Sequence, residues 1–348
     1  MNLYKEKKMF YKKIKIHLLI LILFFSFSQT CFCNGIKTEE DLMANFQHAK
    51  TTKQKMKANK ELFYYYINLG NYESAVSVAD DLLTFKLSKK QKYNIYYNLA
   101  KAYLALSKTE KASEAGQEAQ YLYPKKKETK LLLGNIYKNN GLNELAIVKF
   151  KECLDVDKYN IEALINLANI YNTQGFYKTS LEYFEKARKK SLENKKDLSS
   201  NDYINMAISA KETGKTEQAQ YILENIDGKN KKTALLLADI YKSKLHFDKA
   251  IEEILPFVDE EQPDVEIYCN LAHLYLLSGK FKEAQNLLLD FKSKNNDVEA
   301  IDLLLIESYN NLYHNKAKEL KYLNRILEYT KSEYIKNIIK KVIEFEKK

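Results

Sequence analysis

The sequence predicts an all-α fold, an α-solenoid of about eight helix-turn-helix units followed by a C-terminal capping helix. Three observations predict it: a register that returns every 34 residues, small side chains at two fixed places in that register, and very few turn formers. Only 3 Pro and 9 Gly occur in 348 residues, too few for a many-stranded sandwich or barrel. The same scarcity excludes collagen-like and Pro/Gly-rich disordered chains. At 45% hydrophobic the chain can bury apolar surface, yet it is too long for a single core, so an array or several domains are expected.

The register is visible when Leu133-Gly-x-x-Tyr137, Ala146 and Phe150 are set against Leu167-Ala-x-x-Tyr171, Ser180 and Phe184, an offset of 34. With positions 1–34 counted in each unit, copies start near residues 56, 93, 127, 161, 200, 231, 265 and 299 and cover 56–332. Position 7 is Leu or Met throughout, from Leu62 to Leu305, and position 11 is Tyr in seven units, Ala210 being the exception. Position 8 is small at Ala100, Gly134, Ala168, Ala207, Ala238 and Ala272. Position 20 is Ala in six units, with Ser180 and Lys318 departing. Positions 4, 7, 8 and 11 share one face of a first helix, and 20, 24 and 27 share one face of a second. Small residues at 8 and 20 let the two helices approach closely, and Gly at position 15 in five units permits a sharp turn between them.

Ahead of the array, Thr38-Glu-Glu-Asp41 reads as a capping box for an N-terminal cap helix within 36–55, running through about Gln54. Beyond it, Ile335, Ile338, Ile339, Val342 and Ile343 share one face of a cap helix over 333–348 whose other face is Lys-rich. Five additional residues around Ser191–Asn201 lengthen one connection. Residues 191–200 are either a hinge or a tolerated surface insertion.

These columns resemble the tetratricopeptide repeat, whose pattern they match column by column over the six units from 93 to 298. Departures are concentrated at position 4, aromatic only at Tyr96, Tyr203 and Tyr268, and at position 32, Pro only at Pro124. The last unit lacks the turn Gly and places Lys318 and Arg325 in apolar columns. The resemblance implies a right-handed superhelix without catalytic activity that receives a protein or peptide on its inner, concave face. That face is formed by first-helix positions 2, 5, 6, 9, 12 and 13. Position 6 holds Asn98, Asn166, Asn205 and Asn270, and position 9 holds Asn135 and Asn169. Spaced asparagines can pair with both polar groups of an extended backbone, which gives a candidate peptide-binding ladder. Tyr97, Lys101, Asp239 and His273 would add side-chain selectivity. The Lys/Arg/Asn set of carboxylate-clamp repeats is not found.

The first 35 residues read as a signal peptide or N-terminal membrane anchor. Six Lys and one Glu precede Leu18–Phe27, a run of ten residues without charge. Three endings stay open: cleavage before Gln29, lipidation at Cys31 in a poor lipobox, or an uncleaved anchor over 17–36. All three place the body outside a bacterial inner membrane, on the periplasmic or outer-surface side.

The segment carries half of the formal net charge of +10, so the basic balance is a weak argument for nucleic acid. No P-loop, dinucleotide fingerprint, nucleophile elbow or zinc-protease motif occurs, and the five His are scattered. An enzyme is therefore not expected, nor a cofactor or metal. The expected partner is an envelope protein or peptide, with the membrane reached through the N-terminal segment. Accessory work in cell-wall or polysaccharide assembly, and host binding at the cell surface, are the alternatives.

Overall fold

The computed structural model describes residues 37–346 apart from 260, 295–298 and 313–315. The candidate export segment and Cys31 lie outside the described residues. Among those described there are eighteen α-helices and no strand, the all-α solenoid architecture of the sequence reading. After a short α1 (Glu39–Gln47), first and second helices alternate. They are α2 (Thr52–Leu69) with α3 (Tyr72–Leu83), α4 (Lys89–Ala105) with α5 (Thr109–Leu122), and α6 (Lys127–Asn139) with α7 (Asn143–Val156). There follow α8 (Ile161–Thr173) with α9 (Tyr177–Glu193), α10 (Ser200–Glu212) with α11 (Thr216–Glu224), and α12 (Lys231–Ser243) with α13 (Phe247–Ile254). The last pairs are α14 (Val265–Leu277) with α15 (Phe281–Lys294) and α16 (Glu299–Leu312) with α17 (Lys316–Tyr329), before α18 (Glu333–Glu346).

The chain divides into two compact units after Val156. Residues 191–200, read as either a hinge or a tolerated surface insertion, lie within the second unit, where α9 and α10 pack against each other. The connection is turned back by Ser191, whose hydroxyl donates to the Lys196 carbonyl.

The N-terminal reading needs one correction. The Thr38–Asp41 capping box is present, but α1 ends at Gln47 rather than near Gln54. Thr51 accepts from the Gln54 N–H, and the Gln54 side chain accepts in return from the Thr51 N–H. This second capping box starts α2, so a helix start occupies the place assigned to a helix end.

Within each pair the small columns set the packing. Ala75, Ala112, Ala146, Ser180, Ala219, Ala250 and Ala284 at position 20 are fully buried. At position 8, a Cβ on Gly134 would lie 2.5 Å from the Phe150 ring of the same repeat, so only glycine admits that ring. The Tyr hydroxyls of position 11 reach polar partners at the rim. Tyr66 donates to Glu39 at 2.8 Å, Tyr137 accepts from Gln117 at 3.1 Å, and Tyr241 donates to Glu224 at 2.7 Å. In the second unit, Ile335, Ile339 and Ile343 of α18 join Phe291, Leu305 and Leu323, closing the apolar end of the array.

The turn between paired helices is one repeated device. The N–H of position 16 donates to the carbonyl of position 11 in seven repeats, at 2.8–3.0 Å, from Asn71 to Tyr66 through Lys280 to Tyr275. The residue between, position 15, has positive φ in every one of them. Glycine serves in five, and Ser107 (φ 57°) and Leu245 (φ 59°) adopt the same left-handed conformation without being glycine. The geometry of the pair, not the residue, dictates the turn.

Leu245 is 73% exposed, so its left-handed backbone is not repaid by burial. Leu245→Gly is expected to raise stability by about 0.5–1 kcal/mol, seen as a higher urea midpoint at unchanged slope. An unchanged or lower midpoint contradicts the strain. A second expectation concerns Tyr241, whose hydroxyl is pushed up to about 12 by burial and by Glu224. A raised folded-state value means that the stabilisation is complete below the ordinary tyrosine value of about 10 and is lost as pH rises through about 12. The stability difference between wild type and Tyr241→Phe should thus be flat up to pH ~10 and shrink above it, measured by urea denaturation at stepped pH.

Candidate interaction surface

The candidate residues lie on first helices, and the two compact units are taken separately. In the first unit, Tyr97, Asn98 and Lys101 of α4 are consecutive on one helical face. The Tyr97 ring stacks on Tyr93 at 6.0 Å between centroids, and the Lys101 ammonium lies 5.9 Å from the Tyr97 ring centre. Asn98 donates one amide hydrogen to the Asn94 carbonyl of its own helix at 2.8 Å. Its second N–H and its oxygen are not engaged by that bond. Asn135 of α6 is half-buried. Between these helices the buried hydroxyls of Tyr93 and Thr129 are 3.0 Å apart, tying α4 to α6.

In the second unit the asparagines do something else. The Asn205 amide of α10 donates to the Asn169 oxygen of α8 at 2.8 Å, and Asn169 donates to Asp202 at 3.1 Å. Asn172, one turn along α8, donates to the Asn205 carbonyl at 2.9 Å and to the Ser209 hydroxyl at 2.8 Å. Ser209 donates to Ser180, and Ser180 to the Ala168 carbonyl, each at 2.8 Å. Asn166 is buried, 7% exposed. A closed polar network therefore joins α8, α9 and α10. The Ser180 departure at position 20 is explained by it, since a hydroxyl there is fully satisfied.

Further along the same unit, Asp239 of α12 receives Lys211 of α10 at 2.6 Å and Lys242 of its own helix at 3.1 Å. Burial opposes ionisation of Asp239, but the two ammonium groups outweigh it and hold its carboxyl below the usual range. On α14, Asn270 donates to the Glu266 carbonyl at 2.8 Å, as Asn98 does in the first unit, and His273 is exposed. Cys269 beside them is half-buried, and burial pushes its thiol up.

Of the sequence-predicted residues, Asn166 is buried, Tyr97 and Asn135 are half-buried, and the other seven fall into two groups. Lys101 and His273 are exposed, and the half-buried Asn98 and Asn270 keep hydrogen-bonding capacity beyond the bonds to their own helices. Asn169 and Asn205 bond to each other across adjacent repeats, and Asp239 is held by lysines. Sequence reasoning did not single out Asn172, Asp202, Ser209 and Lys211, which complete these networks. The available signal was their spacing: Asn172 and Lys211 both occupy position 12 of the repeat. No group of three or more His, Cys, Asp or Glu among the described residues is arranged to hold a metal.

With this geometry in view, comparison with known proteins is informative. Two tetratricopeptide repeat models match the chain, one over residues 161–191 and the other over 93–126, 128–160 and 265–290. The chain therefore contains tetratricopeptide repeats, in segments that occupy both compact units. A solved structure of Pseudomonas aeruginosa PilF is similar in fold. Its TM-score is 0.50 at 17% identity, covering 63% of this chain and 99% of that one. A tetratricopeptide repeat protein from Parabacteroides merdae is similar at TM-score 0.50 and 18% identity, covering 73% and 99%. No curated protein matches the sequence.

Asn172→Ala removes two hydrogen bonds that link α8 to α10. It is expected to cost about 1–2 kcal/mol, with α8 and α10 amides exchanging faster than those of α4. Unchanged amide exchange in α8 and α10 would show that the network does not hold the repeats together.

Proposed function

We propose that the protein is a non-catalytic scaffold of the bacterial cell envelope that holds a protein or peptide on the first-helix faces of its repeats. The observation that carries this reading is made once in each compact unit, at Asn98 in the first and Asn270 in the second. Each uses one amide hydrogen on its own helix and keeps an N–H and an oxygen for an incoming backbone. Beside them, Lys101 and His273 offer charge and hydrogen-bonding choice to the ligand's side chains. Asn169 and Asn205 are spent on each other, joining α8 to α10. Stacked helix pairs commonly use their extended surfaces for binding, which is consistent with the absence of sequence motifs for catalysis.

The envelope address rests on the Lys-rich start and the uncharged run Leu18–Phe27. Export brings the repeats to partners anchored in or near the membrane, and a tether at Cys31 or through the uncleaved segment would raise their local concentration.

Two measurements test this reading. In-cell crosslinking followed by mass spectrometry should yield a recurrent protein partner, and Asn98→Ala with Asn270→Ala should reduce that adduct at least fivefold without lowering the melting temperature. An undiminished adduct sinks the asparagine reading. Sequencing of the mature N-terminus should show Gln29, a lipid-modified Cys31, or Met1 in a membrane fraction. An intact chain found only in the soluble cytosol would remove the envelope assignment.

A further inference from the structure

A second surface lies outside repeat positions 2, 5, 6, 9, 12 and 13, and two repeats of the first unit differ there. Between α3 and α5, above α4, lies an open cleft of about 530 Å³. Its floor includes the rings of Tyr96 and Tyr103 and the methyl of Ala115. Around it stand three carboxylates, Asp80, Glu114 and Glu118, against one cation, Lys111. That lysine points its ammonium at the Tyr103 ring, 5.9 Å from the centre. Burial, and then the neighbouring carboxylates, push the hydroxyls of Tyr96 and Tyr103 up, so both stay neutral donors.

The repeat that follows shows how the same frame looks when its acid is satisfied. Adding 34 to Tyr96, Ala115 and Glu118 gives Lys130, Lys149 and Glu152. There Lys130 Nζ lies 2.7 Å from Glu152 and Lys149 Nζ 3.0 Å from it, and both lysine side chains are largely buried. Burial alone would raise the Glu152 carboxyl, yet these two ammonium groups hold it below the usual range. In the preceding repeat both lysines are missing. A ring and a methyl stand in their places and line the cleft, and among the described residues no cation lies within ion-pair distance of Glu118. Glu114 and Glu118 are moreover four residues apart on one helical face, where like charges repel by a few tenths of a kcal/mol.

We propose that this cleft binds an alkylammonium group, presented as a lysine side chain of a partner protein. The ammonium would sit near Glu118, with Glu114 and Asp80 as further acceptors, and the alkyl stem would lie on the tyrosine rings and Ala115. The chain's own Lys130 and Lys149 on Glu152 show which chemistry the frame accepts at this register position. A lysine fits better than a planar guanidinium, since the groups it replaces are themselves lysines with single-point contacts. The inference stands apart from the first-helix reading, because none of these residues belongs to that surface.

The test uses the full-length chain in detergent, with its tyrosine rings carbon-13 labelled and Tyr96 and Tyr103 assigned through phenylalanine variants. The probes are the peptide acetyl-Ala-Ala-Lys-Ala-Ala-amide, its Nε-acetyl-lysine counterpart, and hexylamine. The lysine peptide should shift the Tyr96 and Tyr103 signals saturably, and the acetylated peptide should leave them in place. Ala115→Lys supplies the ammonium that the next repeat carries and should weaken the peptide at least tenfold. Glu118→Gln, on the exposed rim, should weaken it about two- to fivefold even if Ala115→Lys folds poorly. Asn98→Ala should leave the titration unchanged, which separates its failure from failure of the first-helix reading. Equal shifts with the acetylated peptide, or full response in Glu118→Gln, would overturn the site. Saturation by hexylamine at the same or lower concentration would overturn the protein side chain as the source.

Discussion

The structure depends on how closely two helices approach inside each repeat. Position 20 is an alanine or serine with no exposure in seven repeats, and position 8 of one repeat is a glycine with an aromatic ring where its Cβ would be. Interiors pack at crystal-like density, so an added methylene at such a contact displaces backbone rather than filling slack. The leucines of position 7 and tyrosines of position 11 can be buried because the backbones beside them are close. The left-handed residue at position 15 follows from the same requirement. Two helices at that separation must be joined by a turn too tight for right-handed backbone, and Ser107 and Leu245 accept the strain where no glycine is present.

A frame fixed by small residues leaves the outward positions free to vary, and this chain uses that freedom for polar work. Asparagine, abundant throughout the sequence, has two structural fates. On α8 and α10 it is a cross-repeat fastener, with Asn169, Asn172 and Asn205 completing one another's hydrogen bonds. On α4 and α14 it turns back to its own helix and keeps capacity for something else. The difference lies in what the adjacent first helix offers. Asp202 and Ser209 stand opposite Asn169 and Asn172, whereas the bonds of Asn98 and Asn270 stay within their own helices.

Much of the frame was legible because it is written as distance along the chain. The columns of Leu, small residue and Tyr return at 34, and a periodicity of that kind survives any uncertainty about single residues. The Thr38 capping box was legible for the same reason, as a local pattern of three residues. Its neighbour at Thr51 was missed because Thr51–Gln54 is flanked by lysines and polar residues, with no apolar run to announce a helix start. The positive φ of Ser107 and Leu245 left no trace in residue type. The division after Val156 is a property of which helices touch, and no composition change marks it, whereas the polar insertion at 191–200 attracted the hinge reading. The side-chain networks were the least legible part. Whether an asparagine meets another depends on the separation and rotation of adjacent first helices, and these are set by the buried columns and not by the asparagines.

Repeats that share a frame can therefore differ sharply in electrostatics at no cost to the fold. Two consecutive units of this chain place Tyr, Ala and Glu, or Lys, Lys and Glu, at the same three positions. In the second, the acid is paired from within by two largely buried lysines. In the first, the acid remains, the cations are gone, and a cleft opens over two phenol rings. An unpaired carboxylate beside Glu114 adds repulsion and contributes no buried apolar area. Glu118 beside a cleft lined by two phenol rings is what an outside cation would require. Between these two repeats, the one that lacks the internal ion pair is the one whose carboxylate is left to discriminate a partner's charge.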